Sequence, residues 1–232
     1  GSHGGRFSFS IRNFTYRRSR FASVGRERAI NMPALLFSLL LAALFWVVTF
    51  SLKLFNFWLS MSIAVTTLTI LALRFGGMPW RRKDWNWRAI FSGIAAAASL
   101  YAIFWIGNSL SQLLFPFAHP QISSIYDIRT QGEAIAIAAI LLFVTSPGEE
   151  IFWRGFVQKR LVLRFGARRG WLLASVIYAA VHIASGNFML TMAAFTAGLF
   201  WGWLYQREQN LVPCIISHCL WTVTIFILLP VM

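Results

Sequence analysis

The sequence has few charged residues, very few acidic ones and almost no cysteine. Charged residues make up 12% of the 232-residue chain, whereas 58% of its residues are hydrophobic, with 22 Phe and 11 Trp. A soluble domain of this length needs a polar surface that such a composition does not provide. Cys214 and Cys219 are too few for a zinc-type cysteine cluster. They lie five residues apart on a predicted helix, so they point to different faces and are not expected to form a disulfide.

Long apolar runs separated by short links predict a helical membrane protein. Several runs have 17 or more residues, enough for a helix to cross the hydrocarbon core. The fold class is therefore all-α, a polytopic bundle of about seven transmembrane spans. Residues 1–31 are predicted to be a basic cytoplasmic segment, with a tag remnant at 1–3, and residues 32–232 a single transmembrane helical domain. The predicted spans are 33–52, 54–75, 89–115, 132–161, 170–184, 187–206 and 211–230.

The net charge of +14 comes from 21 Lys and Arg residues against 7 Asp and Glu. Eighteen basic residues lie on the same side of the membrane as the N-terminus, either before the first span or in the links on that side. Only Lys53 and Arg129 lie in the links on the opposite side. By the positive-inside rule, the N-terminus is cytoplasmic and the C-terminus external, as in a multi-pass plasma-membrane protein. The positive charge is thus interpreted as a signal that orients the protein in the lipid bilayer. No nucleic-acid partner is expected, because base-reading elements are absent.

Five ionisable residues fall inside the predicted spans. A charged group at mid-bilayer costs about 2.5–3.5 kcal/mol on insertion scales, so such residues must pair or line a cavity. The first three spans carry none of them and are expected to be scaffold. The five residues are Glu149, Glu150, Arg154, His182 and His218.

Three of these residues are predicted to lie at a similar depth, although they come from three spans. Glu149 is about 15 Å from the cytoplasmic end of its helix, at a rise of 1.5 Å per residue. By the same rise, His218 is about 12 Å and His182 about 20 Å from that side, and tilt reduces the larger value. The arithmetic permits the three side chains to meet.

The stretch "TSPGEEIFWRG", from Thr145 to Gly155, follows an apolar run without a break. Ser146 and Glu149 fit a capping box around Pro147, which predicts that the helix kinks or breaks and restarts here. Glu150 and Arg154 are four residues apart, the spacing of an ion pair within one helix. Glu149 points about 100° away from Glu150 and is left without a partner. A kinked packing helix, with both histidines hydrogen-bonded in the core, is the alternative.

Three motifs in this half of the chain resemble those of a known family. "EEIFWRG" resembles the EExxxR motif of the CPBP family, the CAAX proteases and bacteriocin-processing membrane proteins. "YAAVH" resembles its second motif, an aromatic residue followed four residues later by His, and "HCLWT" resembles the third, His followed by Asn or Asp. The resemblance covers about residues 130–230. Within the family, the chain resembles the Ras-converting CAAX endopeptidases.

The resemblance implies a glutamate-dependent intramembrane endopeptidase with a catalytic cavity formed from residues 132–232 and open to the cytoplasm. Glu149 would be the general base that activates water, assisted by His182, and His218 would stabilise the oxyanion. Glu150 and Arg154 would be a supporting pair.

Thr222 stands where the family usually has an amide or acid, so the resemblance departs from the motif at this position. A threonine hydroxyl can donate a hydrogen bond to the oxyanion, but it reaches less far than an amide.

Two other classes of function remain open from the sequence. Glu149, His182 and His218 could form a two-histidine, one-carboxylate zinc site of a metalloprotease, although the sequence has no HExxH pair. A non-enzymatic transporter or partner-binding scaffold is the other, although no inverted repeat is seen. For the endopeptidase, no cofactor is expected beyond water as second substrate. Its partner is a protein or peptide substrate, and the oligomeric state is left open.

Overall fold

The computed structural model describes residues 31–232, so the predicted basic segment lies almost wholly outside the described residues. Within this range the chain forms eight longer helices and no β-strand, with short 3₁₀ helices at Arg82–Asp84, Asp127–Gln131 and Ile183–Ser185. They are α1 (Met32–Leu52), α2 (Phe57–Gly76), α3 (Trp87–Leu114), α4 (Ala118–Tyr126), α5 (Ala134–Phe165), α6 (Ala167–His182), α7 (Phe188–Glu208) and α8 (Val212–Leu228).

Seven of these helices coincide with the seven predicted spans, which supports the all-α membrane bundle. Five of them, α1, α2, α3, α5 and α7, are long and apolar enough to cross a membrane. The apolar helix α8 is shorter, and α6 has only 16 residues. The short helix α4 was not predicted, because its sequence "AHPQISSIY" has no long apolar run.

Asparagine side chains begin four of the long helices. Asn31, Asn56, Asn86 and Asn187 each accept a hydrogen bond from a backbone N–H in the first turn of α1, α2, α3 and α7. This satisfies a donor that the helix leaves free at its start. Gly166 separates α5 from α6 with a φ of 84°, a conformation that glycine adopts without strain.

Helix α5 is not broken at Pro147, and the predicted capping box does not form. The helix continues through Ser146–Glu150, with π-helical segments at Leu141–Thr145 and Ile151–Gln158 on either side. Ser146 has helical dihedral angles, and its buried hydroxyl has no partner among the described residues. Because Pro147 donates no N–H, the wider π turns accommodate it without ending the helix. Proline and π turns are also the usual sites of helix kinks.

Helix α5 lies at the centre of the bundle and packs against α2, α6 and α8. Its segment 151–158 is entirely buried. At Gly148 a Cβ atom would lie 2.4 Å from Val65 Cγ1, so α2 can approach α5 only at a glycine. Other helix faces expose large apolar side chains, such as Leu40, Leu113 and Phe143, which fits contact with lipid. The protein is a membrane protein, and the ionisable residues within its predicted spans are buried.

Candidate active site

The five ionisable residues predicted at depth are all buried in the bundle. Glu150 and Arg154 are 0% and 2% exposed, whereas Glu149, His182 and His218 keep 8%, 6% and 6% of their surface. The first pair is thus sealed in protein. The other three side chains retain a small contact with accessible space, which a reaction with water requires.

Glu150 joins two helices through a single oxygen. Its Oε1 accepts a hydrogen bond from Arg154 Nη1 at 2.9 Å, which confirms the predicted ion pair along α5. The same oxygen lies 2.8 Å from Nδ1 of His218 on α8. A carboxylate only accepts, so Nδ1 is the protonated nitrogen of His218. The sequence predicted the first contact and not the second.

Aromatic rings hold Arg154 and His218 in place. The Arg154 guanidinium lies 4.9 Å from the centre of the Tyr178 ring and 5.2 Å from that of Trp201. It also donates to the backbone oxygen of Ala197 at 3.3 Å. Trp201 stacks on the His218 ring with centroids 3.9 Å apart. Cation–π contacts and hydrogen bonds of this kind stabilise a buried charge.

Glu149 has a hydrogen-bond partner, contrary to the expectation that it is left without one. The hydroxyl of Tyr178 on α6 donates to Glu149 Oε2 at 2.8 Å. In the sequence, Tyr178 appeared only as the aromatic residue of the second motif. Its hydroxyl was the signal that could have indicated a bond to a buried carboxylate.

His182 is the last residue of α6, and its ring orientation is fixed by the same tyrosine. Its Nδ1 lies 2.7 Å from the backbone oxygen of Tyr178. Because a carbonyl oxygen only accepts, Nδ1 carries the proton, and Nε2 is the acceptor of the neutral ring. Trp46 and Phe50 of α1 pack on the ring, with centroids 5.6 and 6.1 Å away. The first span is therefore part of the site and not only scaffold.

A family model described as "Type II CAAX prenyl endopeptidase Rce1-like" matches residues 131–224. The match, which covers less than half of the 232 residues, supports membership of the CAAX protease family. The matched segment contains α5, α6, α7 and most of α8, and with them all the site residues on these helices. It indicates a CAAX-type membrane protease, a class that acts on protein or peptide substrates. The comparisons with curated proteins and with solved structures gave no match.

Thr222, the residue that departs from the family's third motif, lies one turn after His218 on α8. Its Oγ1 is buried and has no hydrogen-bond partner among residues 31–232. Thr222 is therefore assigned to the site because it lies one helical turn from His218, and not because it is hydrogen-bonded to another site residue. An unpartnered buried hydroxyl is costly unless another group, such as water or substrate, uses it.

The described residues contain no preformed cluster of metal ligands. Within residues 31–232, no three His, Cys, Asp or Glu side chains lie close enough together to hold a metal ion. Glu149, His182 and His218 are therefore not arranged as a ligand set. Their hydrogen bonds run instead to Tyr178 and Glu150.

Proposed function

We propose that this Rce1-like protease is a glutamic-type intramembrane endopeptidase in which Glu149 activates the attacking water. The observation that carries the proposal is the double contact of Tyr178 with Glu149 and His182. One tyrosine orients both the carboxylate and the imidazole. Glu149 Oε2 is held by the hydroxyl, which leaves Oε1 to accept a proton from water, with His182 Nε2 as a second acceptor.

The proposed reaction is a direct attack of water on the peptide carbonyl carbon. A water proton passes to Glu149 as the C–O bond forms, and the carbonyl oxygen becomes an oxyanion. Nε2–H of the imidazolium form of His218 and the hydroxyl of Thr222 donate to this oxyanion. The C–N bond then breaks, and the proton held by Glu149 passes to the leaving amine.

Glu150 and Arg154 act on the reaction through His218. Because Glu150 Oε1 binds Nδ1 of His218, it directs the other ring nitrogen toward the substrate and balances the positive charge of the imidazolium. Arg154 keeps Glu150 in place by its bond to the same oxygen. Both are positioning residues and do not touch the substrate.

The experiment for this proposal uses purified protein in liposomes with a library of peptides. We expect cleavage at a defined bond, identified by mass spectrometry, with neither zinc nor another cofactor added. If thermal denaturation shows that the protein is folded but it cleaves no peptide, the transporter or scaffold alternative would be favoured.

Replacing Tyr178 by Phe is expected to lower kcat about 10- to 100-fold and leave KM near the wild-type value. The substitution removes the hydroxyl that orients Glu149, and a hydrogen bond to a charged group contributes about 1.5–3 kcal/mol. The ring still packs on Trp153 and His182, so the fold is retained. The check is steady-state kinetics on one library peptide. An unchanged kcat would mean that Tyr178 has only a packing role.

Thr222→Val is expected to slow cleavage about 100- to 1,000-fold, the usual effect of losing one oxyanion donor. The hydroxyl has no partner among the described residues, so its removal breaks no protein hydrogen bond and stability should hold. Thr222→Asn should keep or raise the rate, because it restores the family's amide at this position. Both variants are measured at saturating peptide, and equal rates for wild type and Thr222→Val would show that the hydroxyl is idle.

We also propose that the protein is a multi-pass protein of the plasma membrane with a cytoplasmic N-terminus and an external C-terminus. The basis is the distribution of the basic residues. Within the described residues, one end of the bundle carries Arg81, Arg82, Lys83, Arg168 and Arg169, whereas Lys53 and Arg129 are the basic residues in the links at the other end.

A further inference from the structure

Helix α1 lies outside the segment that the family model matches, yet its side chains pack on His182. The matched segment begins at residue 131, whereas α1 ends at Leu52. Trp46 is fully buried, and its ring centroid is 5.6 Å from that of His182 in an edge-to-face arrangement. The Phe50 ring lies 6.1 Å from the same imidazole. Two aromatic rings of α1 therefore border a residue that the proposed reaction uses.

The backbone of α1 changes at the point where it meets His182. Met32–Trp46 is α-helical, whereas Val47–Leu52 is π-helical. Beyond its first turn α1 has no proline, glycine or charged residue, so its composition gives no cause for this change. π turns within α-helices are rare and lie frequently at functional sites. The irregular segment begins directly after Trp46 and contains Phe50, so it coincides with the contact on the imidazole.

A hydrogen bond joins the end of α1 to the turn that follows His182. The Ser51 hydroxyl donates to the backbone oxygen of Ala184, within the turn Ile183–Ser185. The same turn is bonded to His182, because Ser185 Oγ donates to the His182 backbone oxygen at 2.7 Å. Helix α1 therefore restrains His182 in two ways, through rings packed on the imidazole and through the backbone directly after it.

The rings of α1 add a restraint on the imidazole that the hydrogen bond to Tyr178 does not supply. A single bond at Nδ1 permits the ring to swing about that nitrogen, because the χ2 torsion of histidine is broad. Such a swing displaces Nε2, the atom on the far side of the ring. It would also require the buried indole of Trp46 to move in a close-packed interior. A misplacement of about 1 Å at a reacting group can cost about 10²-fold in rate.

Trp46 acts on His182 by packing and not by a hydrogen bond. Its Nε1 is buried and has no hydrogen-bond partner in the described part of the chain. The indole also packs edge to face on Trp153 at 6.1 Å, and Trp153 packs on Tyr178 at 5.1 Å. Edge-to-face contact is an arrangement that aromatic pairs prefer. A smaller aromatic ring at position 46 can keep this contact, whereas an aliphatic side chain cannot.

We propose that α1 is a clamp for His182, formed by Trp46, Phe50 and Ser51, which keeps the imidazole where the reaction needs it. Trp46 is the principal positioning residue: it acts through His182 and does not touch the substrate. The inference rests on the proposed function, in which Nε2 of His182 is a second acceptor for the attacking water. It extends the active site to a helix that the family match does not include.

A double-mutant cycle between Trp46 and His182 tests the clamp. Wild type, Trp46→Leu, His182→Ala and the double variant are compared for kcat and KM on one library peptide in liposomes, with the thermal midpoint of each. Trp46→Phe is added because it keeps an aromatic ring at this position. Trp58→Leu is the matched control, since Trp58 is also buried but lies in a separate apolar cluster with Ile137 and Leu141.

We expect Trp46→Leu to lower kcat about tenfold or more and to leave KM near the wild-type value, because a misplaced base slows the reaction without weakening binding. Trp46→Phe should keep most of the rate. When His182 is already Ala, Trp46→Leu should change kcat less than about twofold, because the ring that it positions is gone. Trp58→Leu should leave kcat unchanged.

The other outcomes overturn the clamp. Equal fractional losses of kcat from Trp46→Leu with and without His182 would show that Trp46 acts on another group. A loss in Trp46→Phe as large as in Trp46→Leu would show that ring packing is not the cause. If His182→Ala cleaves too slowly to measure, the comparison of Trp46→Phe with Trp46→Leu decides.

Ser51→Ala replaces Trp46→Leu if that variant does not fold, since it removes only the hydroxyl that donates to Ala184. It should lower kcat in wild type and have no effect when His182 is Ala, and a full rate in both would contradict the clamp. Failure of the proposed function looks different. A folded wild-type protein that cleaves no peptide would overturn that function itself, whereas cleavage with independent effects of Trp46 and His182 would overturn only the clamp.

Discussion

Glu149→Gln is expected to abolish peptide cleavage while the protein folds and accumulates normally. The amide has the shape of the carboxylate but cannot take a proton from water, and loss of a general base costs about 10²- to 10⁴-fold in rate. Gln can still accept the hydrogen bond from Tyr178 through its carbonyl oxygen. None of the ion pairs among the described residues involves Glu149, so the substitution removes no ion-pair partner.

The matched control for this substitution is Glu133→Gln. Glu133 is an exposed carboxylate that precedes the first turn of α5, about four turns before Glu149. The Glu133→Gln variant should cleave peptide at the wild-type rate. Both variants are assayed for kcat on one peptide, with the thermal midpoint measured in the same detergent. If Glu149→Gln retained most of the wild-type rate, Glu149 would not be the base.

Glu150→Gln is expected to lower the free energy of unfolding by about 3–5 kcal/mol, the usual cost of removing one partner of a buried ion pair. Glu150 is fully buried, and its Oε1 binds both Arg154 and His218. The substitution therefore leaves the Arg154 charge in the bundle without its carboxylate. Cleavage should fall as well, because His218 loses the group that orients it.

Glu208→Gln is the control for the loss of a carboxylate as such. Glu208 pairs with Arg207 at 3.9 Å, and the Arg207 side chain is 63% exposed. The Glu208 side chain is 15% exposed, but the pair is long and its arginine is in solvent; surface pairs contribute about 0–1 kcal/mol, so the thermal midpoint should hardly change. An equally small change in Glu150→Gln would contradict the buried network described around Arg154.

The order and approximate bounds of the long helices were predictable from the sequence, because apolar runs of this length have few alternatives in a membrane. Helix α4 was missed because a short polar segment gives no such signal. Of the kink or break predicted at Pro147, the break does not occur, for a different reason. Proline predicts a lost hydrogen bond, but whether the helix ends or shifts to π turns depends on the packing of α5 against α2 and α8.

Contacts within one helix of the site were predictable, whereas contacts between helices were not. The spacing of Glu150 and Arg154 was sufficient to predict their ion pair. The bond from Glu150 to His218 depends on how α5 and α8 are rotated toward each other, which hydropathy does not encode. The same holds for Tyr178, whose hydroxyl meets Glu149 across the α5–α6 contact.

The rate of peptide cleavage by exhaustively chelated wild-type protein tests the central claim most directly, because it separates a glutamate-activated water from a metal-activated one. Glu149 and His182 are hydrogen-bonded to Tyr178, and His218 is hydrogen-bonded to Glu150. Within residues 31–232 they do not form a preformed ligand cluster. We therefore expect the full rate after prolonged treatment with a strong chelator, and a zinc content far below stoichiometric by metal analysis. Loss of cleavage on chelation, restored by added zinc, would contradict the account and make Glu149, His182 and His218 metal ligands.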